Sequence, residues 1–353
     1  MSISKQKPPN RAMTDTTKLD DAAQQLQGKR TFSPAALFLS WEMILLYLLL
    51  AVNVLVMALR PNLYFERGII PSMIQAGMDM SFMSLGMYVL LGQGDRDISI
   101  GGLLLLVSMV IGLAYGQGIS TAVCLILGLL TALCGQLISG FLVAVLDLSA
   151  VIVAISMAAV YRGIVKIVLG INTLSTYPTW FSAASWGNVL GGMVPISLLV
   201  FFFCAVLFYL LIHKTKLGRQ MEIIGVNKTT ALYSGINVTR VRIYGYLIMG
   251  VMVTISSIFF VGRLGNGVIA SAGLGYELEV MVIANLGLVK VGRRRPTVVG
   301  IVLATILMTC LNYALSLLGI QTNIRKIATG LILIISVAVS QCKSGSLRRL
   351  KTR

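Results

Sequence analysis

Long apolar segments separated by short polar connections run through most of the sequence. A helix needs about 17 to 25 predominantly apolar residues to cross the hydrocarbon core of a bilayer, and the chain supplies such segments repeatedly. We predict about ten membrane-spanning helices, and the even apolarity of residues 69–170 also allows one more or one fewer. The predicted spans are residues 36–59, 69–91, 99–115, 119–146, 149–170, 194–212, 243–263, 276–290, 298–318 and 326–341.

Composition points to the same class of protein. Of the 353 residues, 57% are apolar and only 12% are charged, and the mean hydropathy is +0.88. A globular surface of this composition cannot be solvated, whereas helices satisfy their own backbone polar groups inside a bilayer. We therefore predict an all-α polytopic membrane protein and exclude a soluble globular domain.

The distribution of lysine and arginine predicts the orientation in the membrane. Basic residues accumulate in short cytoplasmic loops, and with ten spans and both termini cytoplasmic, 22 of the 29 basic residues fall on that side. Orientation and anionic lipid account for the net charge of +17, so we predict the lipid bilayer and no nucleic acid as a partner. We expect a disordered basic cytoplasmic tail over residues 1–34, a transmembrane domain over 35–342, and a basic cytoplasmic tail over 343–353.

The sequence offers no pattern for bond-breaking chemistry. It lacks the HExxH, GxSxG and Walker A patterns, and its single histidine, His213, lies at the end of an apolar span. We predict a protein that is not an enzyme and that needs no metal or cofactor, so any ATP must be bound by another subunit. Five cysteines are expected to pack singly as small apolar residues: Cys124, Cys134, Cys204, Cys310 and Cys342.

Polar residues at membrane depth are the next signal, because charge there is expensive and is usually kept for a pathway or a structural pair. Residues 92–101 read GQGDRDISIG. Asp97 and Ser99 either open a half-helix toward a cavity or simply cap an ordinary turn. Arg162, with Lys166 on the same helix face, either contacts a solute or reaches the headgroups.

A second glycine-rich stretch, residues 262–279, leads into the eighth predicted span. We expect Glu277 and Glu279 in it to stabilise a helix N-terminus, since residues two apart share no helix face. The two glycine-and-carboxylate stretches open spans from opposite sides of the membrane in the ten-span arrangement. This predicts that spans one to five and six to ten are inverted repeats, with a pathway between the halves.

Residues 214–242, which we call the coupling loop, interrupt the apolar sequence with basic residues and glycines. Asn227 is placed to cap a short helix over residues 228–234, and Gly235 to end it in the left-handed conformation. An exposed helix of this kind in a membrane protein predicts a docking surface for a soluble partner.

Five ordered motifs resemble the ribose-type permeases of bacterial ATP-binding-cassette importers, over most of the chain. The first resembles GGxDLSVG, the second an RG pair, the third the loop pattern TxxGRxxxAxGxNxxAAxxSGI, the fourth TGYELDxIAAVVLGG, and the fifth a glycine-rich C-terminal pattern. The matching residues are Gly94, Asp97–Gly101, Arg162, Gly163, Thr215, Gly218, Arg219, Gly225, Asn227, Ala231, Ser234–Ile236, Gly275–Glu279, Ala284, Leu286, Gly287, Asn312–Gly319 and Gly330–Val339.

The resemblance implies an inverted-repeat importer permease in the bacterial inner membrane that takes up a ribose-like pentose or hexose. The expected partners are a periplasmic sugar-binding protein, two cassette ATPase subunits, and a second permease subunit, identical or homologous. The resemblance makes the coupling loop the ATPase contact, and assigns to its coupling helix Gly218, Arg219, Asn227, Ser234 and Gly235. The best polar candidates along the substrate pathway are Asp97, Ser99 and Arg162.

The chain also departs from the family pattern. Asp95 replaces the second glycine of GGxD, and residues 287–296, GLVKVGRRRP, replace a glycine-rich segment. Charge and proline there are expected to stiffen a corner that small residues would leave mobile, which fits the divergent half of a heterodimer or a poorly active relative. A secondary transporter or channel for a small polar solute remains the alternative, since it would share the spans without needing an ATPase contact.

Overall fold

The computed structural model of the protein describes residues 41–59, 61–64, 68–189, 191–288, 298–321, 324–332 and 334. These residues are mostly helical, which confirms the all-α class. Both predicted tails lie outside them. The helices are α1 (Trp41–Leu59), α2 (Pro61–Tyr64), α3 (Ile69–Gln75), α4 (Met78–Gly92), α5 (Ile100–Gly116), α6 (Thr121–Ala144), α7 (Ala150–Leu169), α8 (Trp180–Trp186), α9 (Ile196–Lys214), α10 (Lys216–Val226), α11 (Lys228–Tyr233), α12 (Val238–Arg263), α13 (Tyr276–Leu288) and α14 (Val298–Leu317). Residues 324–332 are also helical, and β1 (Asn188–Val189) pairs antiparallel with β2 (Val194–Pro195).

Within the described residues, six helices are long and apolar enough to cross a membrane: α1, α6, α7, α9, α12 and α14. A seventh span forms if α3 and α4, which meet at a bend of 43°, are counted together. Helices α5 and α13 have 17 and 13 residues. The chain is therefore a multi-pass membrane protein, but the predicted count of ten spans is not confirmed. The last predicted span, 326–341, lies partly outside the described residues.

Helices α4, α5 and α12 form the interior of the bundle. Of the most apolar 18-residue stretch of α12, 72% is buried by the rest of the protein, compared with 11% for α1. One apolar core lies where α5, α6 and α7 meet α4 and α12. The other joins α4 and α12 to α9, α13 and α14, with the ring of Phe82 stacked at 4.7 Å on that of Phe259. Because α4 and α12 contribute to both cores, they connect the two parts of the bundle.

The peripheral helices keep apolar side chains on their outer faces. Ile152 and Ile167 of α7 and Phe203 of α9 are 67%, 86% and 65% exposed. A helix that is apolar on both its packed and its open face is typical of a membrane span. These outer faces are therefore suited to contact with lipid or with another membrane subunit.

The coupling loop is seated on the end of α4. A Cβ atom at Gly225, near the end of α10, would lie 1.8 Å from the carbonyl oxygen of Gly92. No side chain fits in this space, so glycine is what allows α10 to contact the last turn of α4. Because of this contact, a displacement of α10 would also displace the end of α4, which is a helix of the core.

We predict that Gly225→Ala releases α10 from α4, because the new methyl group would overlap the backbone oxygen of Gly92. Tryptic cleavage after Lys216 and Arg219 should become faster, and the thermal unfolding temperature in detergent should fall. Gly163→Ala is the matched control, since no atom lies within 4 Å of a Cβ there and alanine favours a helix by about 1 kcal/mol over glycine. Equal protease sensitivity of the two variants would contradict this close contact.

Candidate functional site

The coupling loop folds into two short capped helices, α10 and α11. The Thr215 hydroxyl accepts a hydrogen bond from the Gly218 amide at 3.2 Å and so caps α10. The Asn227 side-chain oxygen accepts from the amides of Thr229 and Thr230 at 2.9 and 3.1 Å. Gly235 has φ of 73°. The predicted cap at Asn227 and left-handed stop at Gly235 are confirmed, and α11 ends at Tyr233.

Apolar side chains are exposed at the ends of these two helices. Val226, the last residue of α10, is 74% exposed, and Leu232 and Tyr233, the last residues of α11, are 55% and 90% exposed. We call these three the docking residues. Exposed apolar groups in a polar, basic loop are typical of a protein contact surface. Of the predicted coupling residues, Arg219 is also exposed, whereas Gly218 is buried against the backbone of Ile212.

A group of charged residues, which we call the basal charge cluster, ties this loop to the membrane helices. It consists of Asp95, Asp147, Lys228 and Arg242. Arg242 donates from Nε to Asp95 Oδ2 at 3.0 Å and from Nη2 to Asp95 Oδ1 at 2.6 Å. Its Nη1 donates to the carbonyl oxygen of Val143 at 3.1 Å and lies 3.6 Å from Asp147 Oδ1. Lys228 Nζ lies 2.5 Å from the same Asp147 oxygen.

The two halves of the basal charge cluster differ in solvent exposure. The Arg242 and Asp95 side chains are 11% and 5% exposed, whereas those of Lys228 and Asp147 are 46% and 70% exposed. Hydrogen bonding and attraction from Lys228 hold the pKa of Asp147 below its ordinary value. This carboxylate is therefore charged at neutral pH, and the pair loses its attraction only when the pH falls through that lowered pKa.

Sequence reasoning noted Asp95 only as a departure from the family pattern. The structure shows its partner, Arg242, 147 residues further along the chain. Two features of the sequence could have indicated the pair. Asp95 stands where the family has glycine, and Arg242 stands just before an apolar span. The pairing itself could not be derived from those two observations.

The predicted pathway residues Asp97 and Ser99 lie in a buried polar contact at the start of α5. Asp97 Oδ1 accepts from the Ser99 amide at 2.8 Å and from the Ser99 hydroxyl at 2.6 Å. Asp97 Oδ2 accepts from Gln136 Nε2 of α6 at 2.7 Å. These contacts hold the turn before α5 against α6, and Ser99, the residue that precedes α5, makes no side-chain cap hydrogen bond to the helix among the described residues. A role of Asp97 and Ser99 in the pathway stays a prediction.

Arg162 makes contacts that bring three of the sequence motifs together. Its Nη2 donates to the Gly273 carbonyl oxygen at 3.2 Å and to Glu277 Oε2 at 3.3 Å. A Cβ atom at Gly101 would lie 2.3 Å from that Glu277 oxygen and 3.1 Å from Arg162 Nη2. The missing side chain at Gly101 thus leaves room for an ion pair between α7 and α13. A pathway role for Arg162 likewise stays a prediction.

A cavity lined by both apolar and polar side chains lies at the end of the bundle opposite the coupling loop, and we call it the distal cavity. Its volume is about 390 Å³. It is bordered by the break between α3 and α4, the end of α12, the start of α13, the second half of α14 and residues 324–332. The polar side chains lining it include Arg263, Tyr276, Glu279, Asn312, Tyr313 and Arg325.

Hydrogen bonds hold the polar groups of the distal cavity in place. Asn312 Nδ2 donates to Glu279 Oε2 at 3.0 Å. Arg263 donates from Nε and Nη2 to Asp79 Oδ2 at 3.2 and 3.0 Å, and also to the Tyr276 hydroxyl. Sequence reasoning missed this group. A single aspartate, Asp79, inside an apolar span was the signal, because charge at membrane depth is rarely without a purpose.

We predict a non-additive loss of stability in the Arg242–Asp95 pair. Removing one partner of a buried ion pair typically costs about 3–5 kcal/mol, because the other charge is left uncompensated. Asp95→Gly and Arg242→Leu should each lower the free energy of unfolding by about 3 kcal/mol or more, and the double variant should regain most of it. Unfolding in a titration with sodium dodecyl sulfate measures the change.

The matched control for this cycle is Lys228→Met, which removes the exposed partner of Asp147. Exposed pairs contribute little to stability because both charges are well solvated, so this variant should unfold like the original protein. Additive losses in the Asp95/Arg242 double variant would show that the two residues do not interact energetically.

Comparison with known families and proteins agrees with this architecture. Residues 69–337 match the family described as "Branched-chain amino acid transport system / permease component". The chain is 26% identical over 327 residues to the ribose import permease protein of Escherichia coli (strain K12), covering 91% of this chain and 99% of that protein. It is 25% identical over 291 residues to the ribose import permease protein of Bacillus subtilis (strain 168), covering 82% and 90%.

The chain is also 26% identical over 265 residues to the autoinducer 2 import system permease protein of Yersinia enterocolitica serotype O:8 / biotype 1B (strain NCTC 13174 / 8081), covering 73% of this chain and 79% of that protein. No solved structure matches the chain. Since the family match spans well over half of the sequence, this protein belongs to the family of branched-chain amino acid transport system permease components.

Proposed function

We propose that this chain is the transmembrane permease subunit of an ATP-binding-cassette importer that translocates a monosaccharide, a ribose-like pentose or a hexose. Family membership supports a transport subunit and not an enzyme. The names of two relatives that align with most of the chain state ribose import, and a third states import of autoinducer 2. The shared motifs agree with the ribose-type branch of the family.

The proposal includes the partners of the subunit. A periplasmic binding protein delivers the sugar, and separate cassette ATPase subunits supply the energy, so this chain carries out no ATP hydrolysis itself. A second permease subunit, identical or homologous, completes the transporter. The complex lies in the bacterial inner membrane, with both termini of this chain in the cytoplasm, as the distribution of basic residues favours.

The observation that carries the proposal is the seating of α10 and α11. These helices expose the docking residues, contact the end of α4 through Gly225, and reach Asp147 of the basal charge cluster through Lys228. A soluble partner bound at Tyr233 would therefore act on α4 and α12, which run through the interior. This is the connection that an ATP-driven transporter needs and that a secondary transporter or channel does not.

We predict that Leu232→Asp and Tyr233→Asp release the ATPase. Each places a carboxylate on an exposed apolar position, where burial against a partner would require its desolvation. Neither change affects the core, so membrane insertion should be normal. Affinity purification of the chain from its native cell in mild detergent, followed by mass spectrometry, should recover a cassette ATPase with the original protein and not with either variant.

Ile171→Asp is the control, because Ile171 is fully exposed and follows the opposite end of α7 from Asp147. A helix of 20 residues separates it from the coupling loop by about 30 Å. The ATPase should remain bound in this variant. Transport by the original chain alone, with no ATPase recovered, would instead favour a secondary transporter. The same purification shows whether the second permease subunit is identical.

A further inference from the structure

We propose that Asp147 is a positioning residue of the transport cycle, which holds α11 beside the start of α12 so that a displacement of α11 reaches the membrane helices. The inference rests on the proposed function, because the displacement would come from the cytoplasmic ATPase. It adds to that function the contact that holds the exposed helix of the coupling loop in place. Asp147 was not among the predicted coupling residues.

The Asp147 carboxylate lies between two basic residues that belong to different helices. Its Oδ1 is 2.5 Å from Lys228 Nζ and 3.6 Å from Arg242 Nη1. Lys228 is the first residue of α11, and Arg242 lies near the start of α12. Asp147 itself belongs to the connection between α6 and α7. One carboxylate oxygen therefore joins three parts of the chain.

Few other contacts hold α11 in its position. Of its six residues, only Ala231 is buried, and the methyl group of alanine removes little apolar area from water. The cap at Asn227 binds amides of α11 itself, so it stabilises the helix without attaching it to the bundle. In the described part of the chain, the hydrogen bond from Lys228 to Asp147 is the side-chain contact that attaches α11 to a segment outside the coupling loop.

The other basic partner of Asp147 is held firmly. Arg242 donates two hydrogen bonds to Asp95, just after α4, and one to the carbonyl oxygen of Val143 in the last turn of α6. Its side chain is only 11% exposed. A planar guanidinium group with these contacts has a fixed position and orientation. Asp147 thus lies between a weakly anchored exposed helix and a fixed buried group.

The backbone of Asp147 gives an independent reason to assign a role to its side chain. Its φ is 54°, in the left-handed region that favours glycine. Aspartate tolerates this region better than most residues, but less well than glycine does. Unfavourable backbone conformations are typical of residues that have a function. The carboxylate is what aspartate supplies at this turn and glycine would not.

The exposure of the ion pair determines the size of the expected effect. The side chains of Lys228 and Asp147 are 46% and 70% exposed, and an exposed pair changes an equilibrium by at most about fivefold. Such a contact contributes little to the stability of the whole protein. It is strong enough, however, to change how often a weakly anchored helix leaves its position.

The first test measures the release of α11 in the full chain, reconstituted in lipid nanodiscs without its partners. Chymotrypsin cleaves after Tyr233, which is 90% exposed, and cleavage follows the population of locally opened protein. Asp147→Gly and Lys228→Met should each raise the cleavage rate about two- to fivefold. The double variant should be cleaved no faster than the single variants, because both changes remove the same contact.

Lys216→Met is the matched control for Lys228→Met. Lys216 is also an exposed lysine at the first position of a coupling-loop helix, but it forms no ion pair among the described residues. Its substitution therefore removes the same charge without removing a contact. Chymotryptic cleavage after Tyr233 should keep its original rate in this variant.

The second test asks whether the contact transmits movement. The complete transporter is reconstituted in liposomes with its ATPase and binding protein, and the sugar moved is measured for each ATP hydrolysed, with radiolabelled D-ribose, or D-glucose if D-ribose is not moved. This ratio should fall about two- to fivefold in Asp147→Gly and Lys228→Met and stay unchanged in Lys216→Met. The ATPase should co-purify with every variant, because the docking residues are unaltered.

Thermal unfolding separates positioning from general structural damage. The unfolding temperature of Asp147→Gly should stay the same or rise, since glycine suits the left-handed backbone. A merely structural role would lower the unfolding temperature together with the transport ratio.

Three other results are distinguishable. Unchanged cleavage in Asp147→Gly and Lys228→Met would show that Asp147 does not hold α11. Faster cleavage with an unchanged ratio of sugar to ATP would show that the contact holds the helix but transmits no movement, which overturns the positioning role. If the original chain binds no ATPase and moves neither sugar, the proposed function itself fails, and the role in transport fails with it.

Discussion

Two ion pairs with buried carboxylates join α4 to α12, and the rest of the structure is built around this pair of helices. At one end, Asp95, just after α4, binds Arg242 near the start of α12. At the other end, Asp79 of α4 binds Arg263, the last residue of α12. Because a charge without its partner in this interior would be very costly, the two pairs fix how the antiparallel helices align. Both apolar cores pack on these helices, so an altered alignment would disturb each core in turn.

The apolar pattern was enough to predict where the helices lie in the sequence, but not which helices pack against one another. It placed a helix at each described span, because burial in lipid or protein demands a long apolar segment. It could not distinguish the helices that are long enough to cross a bilayer from the shorter α5 and α13, most of whose residues are buried by neighbouring helices. Local chemistry was predicted well: the cap at Asn227 and the stop at Gly235 depend only on nearby backbone geometry. The ion pairs of α4 and α12 join residues 147 and 184 positions apart, and one sequence holds no information about such distances.

The site residues illustrate the same limit. Polarity at membrane depth identified Asp97, Ser99 and Arg162, and in the structure all three lie in buried or half-buried polar contacts. The cost of a charge in the membrane shows that it needs a partner, but a neighbouring helix and a solute satisfy that need equally well. Glu279 was interpreted only as a first-turn carboxylate, since its neighbour Asn312 belongs to another helix. The packing of α13 against α14 is what turns these two residues into one hydrogen-bonded wall.

The arrangement of walls constrains how the distal cavity can change. Arg263 and Met80 belong to the α4–α12 pair, whereas Glu279 and Asn312 belong to α13 and α14. The two ion pairs oppose sliding of α4 against α12, so these helices respond together to a force applied through the coupling loop. Glu279 and Asn312 are in turn joined by their own hydrogen bond. Helix α13 also packs against α4, and Arg263 of α12 donates to the Tyr276 hydroxyl of α13, so the two pairs of helices are joined to each other beside the cavity. The break between α3 and α4 borders the same cavity at Ala76 and Gly77, so the irregular backbone lies beside the polar groups that these helices hold in place.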